Sequence, residues 1–157
     1  MSLPTIRLGN NSDIEDLINI AVTARAPLYP DNFKPIFNEY MINLFEVFKA
    51  IDKRITLIFC ENYKSVGYLS FTNYIDRNEI EIDQLFVLPK YQKNGYGVKL
   101  VKECENLAKK MGVKKIIVAS EHKALNFYER MDYKLTGETY KSILLSGIEY
   151  PYLEKNI

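Results

Sequence analysis

The sequence predicts an α/β (α+β) fold, on three observations. The spacing of apolar residues switches repeatedly between a helical period and short runs rich in β-branched and aromatic residues. The two kinds of segment are interleaved, so they must share one core. The length of 157 residues fits one domain, expected to span 1–157. Hydrophobic residues make up 47% and charged residues 26%, enough apolar material to bury a core and too much for an intrinsically disordered chain. A net charge of +1 argues against a dedicated nucleic-acid-binding protein.

The elements follow in order. Ile6–Leu8 reads as a first strand. Ser12-Asp13-Ile14-Glu15 has the pattern of a capping box, and Ile14, Leu17, Ile18 and Ala21 follow at helical spacing. Pro27 and Pro30 end that helix. A second helix is expected from about Pro35 to Ala50, with Phe37, Tyr40, Met41, Leu44, Phe45 and Phe48 on one face. Arg54–Glu61 and Ser65–Asn73 read as a hairpin joined by Asn62-Tyr63-Lys64. After a turn at Asp76-Arg77-Asn78, the strand Glu79–Leu88 alternates Glu79, Glu81 and Asp83 with Ile80 and Ile82, and Pro89 stops it. Gly95 and Gly97 open a third helix whose apolar face is Leu100, Val101, Cys104, Leu107, Ala108 and Met111, with Gly112 just past its end. Lys115–Ser120 is a buried strand, and Lys123–Met131 a short helix. Tyr133–Tyr140 and a segment ending at Tyr152-Leu153 are the last strands, giving the order βααβββαβαββ.

Cys60 and Cys104 lie far apart without a CxxC, and His122 is the sole histidine, so a zinc site or disulfide scaffold is not expected. Both thiols read as buried small hydrophobes and fit a reducing, cytoplasmic setting. The first residues lack the pattern of a signal peptide, and no apolar run has the length of a membrane span, so no membrane partner is expected.

The most informative stretch runs from Leu85 to Gly97, a strand, a loop and a helix start. A helix N-terminus offers free N–H groups and a positive dipole end, a seat for phosphate, and glycine lets the backbone approach an anion. Lys90 and Lys93 add charge there. A Walker loop is absent, and the third glycine of a dinucleotide fingerprint is replaced by Leu100. A bare G-x-G is equally compatible with a tight turn that holds nothing.

In context, Gln92-x-x-Gly95-x-Gly97 after Leu85-Phe86-Val87-x-Pro89 resembles the acyl-CoA-binding motif of the GNAT superfamily of N-acyltransferases. Ala124-Leu125-Asn126-Phe127-Tyr128-Glu129-Arg130-Met131-Asp132-Tyr133 resembles that family's second motif, and Gly147 to Lys155 its last strand. The resemblance implies a GNAT-like fold with a central mixed, mostly antiparallel sheet flanked by helices. It implies acetyl-CoA as co-substrate, without a metal, bound through the loop residues Gln92, Lys93, Asn94, Gly95, Tyr96, Gly97 and Val98. Leu85, Phe86 and Val87 would offer backbone hydrogen bonds to the pantetheine arm, with Asn126 near the cofactor and Tyr128 near the thioester sulfur. Two positions depart from the pattern. Glu121 stands where many members have Asn, and Asp132 where the usual residue is glycine.

Acyl transfer to a primary amine needs a neutral nucleophile. An alkyl amine with pKa near 10.4 costs roughly 4.6 kcal/mol to deprotonate at pH 7, so a general base helps. Glu81 is the first candidate, since some relatives carry a catalytic glutamate there; Glu79 and Asp83 are runners-up, or attract a cationic substrate. Tyr128 is the candidate acid, and the N–H of Phe86 or Val87 the candidate oxyanion donor. Each of these acids also fits a solvated strand face, and Tyr128 a packed aromatic. His122 reads as a surface residue.

The acceptor is expected near Arg25–Phe48 and Tyr140–Tyr152, where Tyr29, Phe33, Tyr40, Phe45, Tyr140, Tyr150 and Tyr152 stand with Asp31, Glu39, Glu46 and Glu149. It could be a small molecule, a polyamine, a peptide or a protein lysine. A homodimer is compatible with the family's habits. The competing readings are a non-catalytic acyl-CoA-binding sensor and an interaction module.

Overall fold

A two-residue turn with both residues at positive φ suits the right-handed twist of paired strands, and the hairpin of the central sheet uses one. Asn62 (φ 50°) and Tyr63 (φ 65°) form it between β2 (Arg54–Glu61) and β3 (Lys64–Tyr74). The computed structural model describes residues 3–25, 54–141 and 147–157, with Glu39, Ile42 and Asn43. The second helix expected over 35–50 lies mostly outside the described residues, as does most of the acceptor region expected over 25–48. The remaining elements are β1 (Thr5–Leu8), α1 (Ile14–Arg25), β4 (Glu79–Val87), α2 (Tyr96–Lys110), β5 (Lys115–Ala119), α3 (Leu125–Glu129), β6 (Lys134–Lys141) and β7 (Glu149–Asn156). The strands form a seven-stranded mixed sheet in the order β1-β2-β3-β4-β5-β7-β6. β4 and β5 run parallel, whereas β1 with β2, β5 with β7 and β6 with β7 are antiparallel.

The chain divides into two compact units. The first comprises Met1–Phe71 and Gln84–Cys104. Its core is Leu17, Ile20 and Ala21 of α1, Leu57 to Phe59 of β2, Val66, Tyr68, Leu69 and Phe71 of β3, and Leu100, Val101 and Cys104 of α2. Consecutive buried residues along β3 mark a strand covered on both faces. The start of α1 departs from the expected cap. The capping box is Asn10 with Asp13, two residues before the Ser12–Glu15 pair. Asn10 Oδ1 accepts from the Ser12 N–H at 2.9 Å, and Asp13 accepts from the Asn10 N–H at 2.9 Å. The reason is Arg7 of β1, whose guanidinium grips Asp13 bidentately at 2.7 and 2.9 Å and fixes the turn earlier in the chain.

The second unit comprises Thr72–Asp83 and Glu105–Ile157. Ile80, Ile82, Ala108, Val113, Ile116, Val118, Met131, Tyr133 and Leu153 form its core. Within it, buried Glu105 accepts from Tyr133 Oη at 3.2 Å and from Lys155 Nζ at 3.1 Å, so the carboxylate is paired as burial requires. Gly112 (φ 77°) closes α2, leaving Met111 beyond the helix and exposed rather than on its apolar face. Cys60 also differs from expectation. It is only half-buried and interacts with the Arg7 guanidinium, whereas Cys104 is fully buried.

Candidate functional site

The loop after β4 is built to open the N-terminus of α2. Leu88 N–H donates to Val66 O at 2.9 Å, tying the end of β4 to β3. Gly67 permits the closeness of the two strands, because a Cβ there would lie 3.1 Å from Phe86 O and from Val87 Cγ2. A short 3-10 turn, Pro89–Tyr91, follows. Gln92 Nε2 then donates back to Val87 O at 2.9 Å, and Asn94 Nδ2 to Tyr91 O at 3.1 Å. Lys93 (φ 65°) and Gly95 (φ 77°) take left-handed conformations that reverse the chain into the helix. Gly95 O accepts the Lys99 N–H at 3.0 Å, so the helix begins there and the N–H groups of Tyr96, Gly97 and Val98 have no helical partner. A Cβ on Gly95 would meet nothing within 4 Å. The loop therefore leaves open space beside a helix N-terminus, which suits a phosphate-bearing ligand.

The side chains of the same stretch divide by role. Gln92, Lys93, Asn94 and Gly95 are exposed, and Leu85, Phe86, Val87, Gly97 and Val98 are half-buried. Tyr96 is different, since its ring is buried and stacks on Phe59 of β2 with centroids 4.1 Å apart and an interplanar angle of 19°. Its hydroxyl donates to Glu61, and that bond raises the Tyr96 pKa. The side chain thus anchors the helix start to β2, and the backbone remains the part of Tyr96 that a ligand meets. Phe86 lies with its ring centroid 5.8 Å from that of Tyr68 and 5.8 Å from the Arg25 guanidinium. Burial pushes the Tyr68 phenol well above its ordinary pKa, and its hydroxyl donates to Gln84 at 2.8 Å.

The three acids of β4 share a sheet face yet differ sharply in surroundings. Glu79 is buried and paired with Arg77 at 3.3 Å and Lys115 at 3.7 Å. Asp83 accepts a short hydrogen bond from Thr72 Oγ1 at 2.7 Å. Glu81 stands beside phenols: Tyr74 Oη is 3.5 Å away, and the Glu81 carboxylate acts electrostatically on the Tyr152 phenol. Tyr152 is pushed up to about 12 by burial, then by Glu81, Tyr140 and Tyr74. Of the three acids only Glu79 is buried, and Glu81 and Asp83 are half-buried.

Tyr128 is buried on α3, edge-on to Phe127 at 5.0 Å and to Tyr133 at 5.6 Å. Asn126, two residues earlier, is exposed. Asp132 (φ 71°) takes the left-handed turn usually given to glycine, which an aspartate tolerates. His122 is exposed, with Nε2 3.1 Å from Glu149 O. Among the described residues, no group of three or more His, Cys, Asp or Glu is placed to hold a metal. No described helix is long and apolar enough to cross a membrane.

Residues 17–133 match the model of the Acetyltransferase (GNAT) family. The chain belongs to the GNAT family. A curated relative, the uncharacterized N-acetyltransferase CgeE of Bacillus subtilis (strain 168), is 35% identical over 65 residues. That match covers 39% of this chain and 25% of CgeE, so the chain aligns with about a quarter of the relative's length. Among solved structures, the PaiA N-acetyltransferase from Thermoplasma acidophilum in complex with coenzyme A is similar, with a TM-score of 0.78 at 17% identity, covering 99% of this chain and 100% of that one. A GCN5-related N-acetyltransferase from Rhodopseudomonas palustris gives 0.80 at 21% identity, covering 100% and 98%. At such identities these two likenesses establish the GNAT fold, mixed sheet included.

Sequence reading did not single out Gly67, Glu61 or Tyr74. A lone glycine in a strand run does signal close backbone approach, so Gly67 was open to discovery. Glu61 and Tyr74 carry no local signal, because their partners are distant in sequence.

Proposed function

We propose that the chain is an acetyl-CoA-dependent N-acetyltransferase that acts on a primary amine within one GNAT domain. Family membership and the open N-terminus of α2 behind Gly95 support this reading. The backbone N–H groups from Gln92 to Val98, with Lys93 and Asn94, take the pyrophosphate, and Leu85, Phe86 and Val87 offer backbone groups to the pantetheine arm. Asn126 borders the cofactor. When bound, acetyl-CoA supplies an acyl group activated as a thioester.

Glu81 serves as the general base that takes the amine proton, directly or through a water, and Tyr128 as the acid that serves the departing thiolate. The two cations on Glu79 favour Glu81 over that neighbour. Glu79 is committed to two cations and Asp83 to a short hydroxyl bond, whereas Glu81 faces phenols. An ion pair weakens a carboxylate as a base, which argues against Glu79.

The test is thermal unfolding with and without acetyl-CoA, with NADH as control. It is followed by thiol release with n-butylamine, spermidine, a peptide with a free N-terminus and a lysine-containing peptide. Ligand at 100 times its Kd stabilises by about 2.7 kcal/mol, so a clear rise in Tm with acetyl-CoA alone is expected. No rise at millimolar acetyl-CoA rejects the cofactor assignment. A rise without turnover of any amine favours the non-catalytic sensor.

A further inference from the structure

We propose that Tyr133 and Glu105 are positioning residues that hold the Tyr128 ring in one orientation for its proton transfer. The inference rests on the reading of Tyr128 as the acid. Glu105 belongs to neither sequence motif, and it meets Tyr133, 28 residues further on, only in the folded chain.

The turn after α3 sets the backbone. Asp132 (φ 71°) reverses the chain, and the Tyr133 N–H donates to Tyr128 O at 3.1 Å. The Met131 N–H donates to the same carbonyl at 3.0 Å. The two tyrosines are thereby tied at the main chain. Both are buried, and their rings meet edge to face, with centroids 5.6 Å apart and an interplanar angle of 70°. Phe127 stands edge-on to the Tyr128 ring at 5.0 Å. In such close packing, a Tyr133 ring that shifts gives the Tyr128 ring room to turn.

The Tyr133 ring is pinned at its far end. Its hydroxyl donates to Glu105 Oε2 at 3.2 Å. Lys155 Nζ donates to Glu105 Oε1 at 3.2 Å and Oε2 at 3.1 Å, and it lies 5.6 Å from the Tyr133 ring centroid. Phenol, carboxylate and ammonium thus hold one another. Glu105 is a buried charge on α2, which also buries Leu100, Val101, Cys104 and Ala108. An ion pair in such a place contributes little net stability, because desolvation offsets the attraction. What it supplies is direction. A hydrogen bond to a paired carboxylate fixes where the phenol points, whereas an apolar contact has no preferred direction. A general acid works only with its proton within reach of the leaving atom, so a steady Tyr128 ring bears on turnover and not on cofactor binding.

The test couples NMR to kinetics. Protein carrying tyrosine labelled with 13C at the ring ε carbons reports ring flips, with the Tyr128 signals identified by their loss in Tyr128→Phe. Tyr133→Phe keeps the ring and removes the hydroxyl. Glu105→Gln keeps an acceptor and removes the ion pair. Flips of the Tyr128 ring should quicken several-fold in Tyr133→Phe and less in Glu105→Gln. With any amine that turns over in the screen, Tyr133→Phe should lower kcat by about tenfold and leave KM for acetyl-CoA unchanged. In the Tyr128→Phe background the same substitution should change kcat little, because its effect runs through Tyr128. Unchanged Tyr128 flips in Tyr133→Phe overturn the proposal. So does an equal loss of kcat in both backgrounds, which marks a merely structural hydroxyl. Quickened flips beside full turnover in Tyr128→Phe support the brace and remove Tyr128 as the acid, so the two readings fail separately.

Discussion

In the proposed function, the glycine loop and the acid face of β4 solve different problems with different parts of the chain. From Gln92 to Val98 the useful groups are backbone N–H donors, aimed by two left-handed residues and a helix start. The side chains there brace the loop, as Gln92 does on Val87 O and Tyr96 on Glu61. Around Glu81 the useful groups are side chains, aimed by strand register, and the backbone is spent on the sheet ladder. A backbone-built site tolerates variation in side chains but not in φ. A side-chain-built site is the reverse. An anion of fixed shape suits the first, and a proton transfer that depends on one group's basicity suits the second.

The largest expected effect breaks the comparison on its side-chain half. Glu81→Gln should lower kcat for acetyl transfer by about 10²–10⁴-fold, while the rise in Tm with acetyl-CoA stays intact. Glu79→Gln and Asp83→Asn should cost far less turnover. If either of them abolishes transfer and Glu81→Gln does not, the base has been assigned to the wrong carboxylate.

The backbone half is tested by Gly95→Ala. Its Cβ meets no atom, so steric crowding within the protein is excluded and conformational strain of about 1–2 kcal/mol remains. The expected outcome is weaker acetyl-CoA binding by calorimetry, with the pH dependence of turnover unchanged. Unaltered affinity would show that the loop does not depend on its left-handed turn.

The smallest effect comes from a site that belongs to neither region, and it calibrates plain stability. Asp13→Asn removes the capping box and the Arg7 pair, at about 1 kcal/mol at pH 7. Asp13 is held below the usual carboxylate range, first by the Arg7 hydrogen bonds and then by the Asn10 N–H. A depressed pKa gives stability that is present above the unfolded value, near 3.9, and is lost as pH falls through the folded value. The gap between wild type and Asp13→Asn in urea unfolding should therefore be full at pH 7 and close under more acidic conditions. A gap that persists at low pH would trace the loss to packing.

Much of this was legible before any coordinates. The strands and the described helices stand within a few residues of their expected bounds, because β-branched runs, turn residues and helical spacing act locally. The N-terminal cap slipped by two residues because Arg7, on the preceding strand, recruited Asp13. Met111 left the helix face because Gly112 ended the helix first. Both misses have the same source, a partner or a stop that overrides a local pattern.

The sequence by itself determined the family and the turn that opens the N-terminus of α2, because glycine at a helix start acts through local backbone geometry. It also determined that three acids line one face of β4, because strand side chains alternate with period two. It did not determine what surrounds each acid. That follows from Arg77 and Lys115 on Glu79, Thr72 on Asp83, and Tyr74 and Tyr152 at Glu81. These partners come from β3, β5, β7 and the turn before β4, and only sheet register puts them beside their acids.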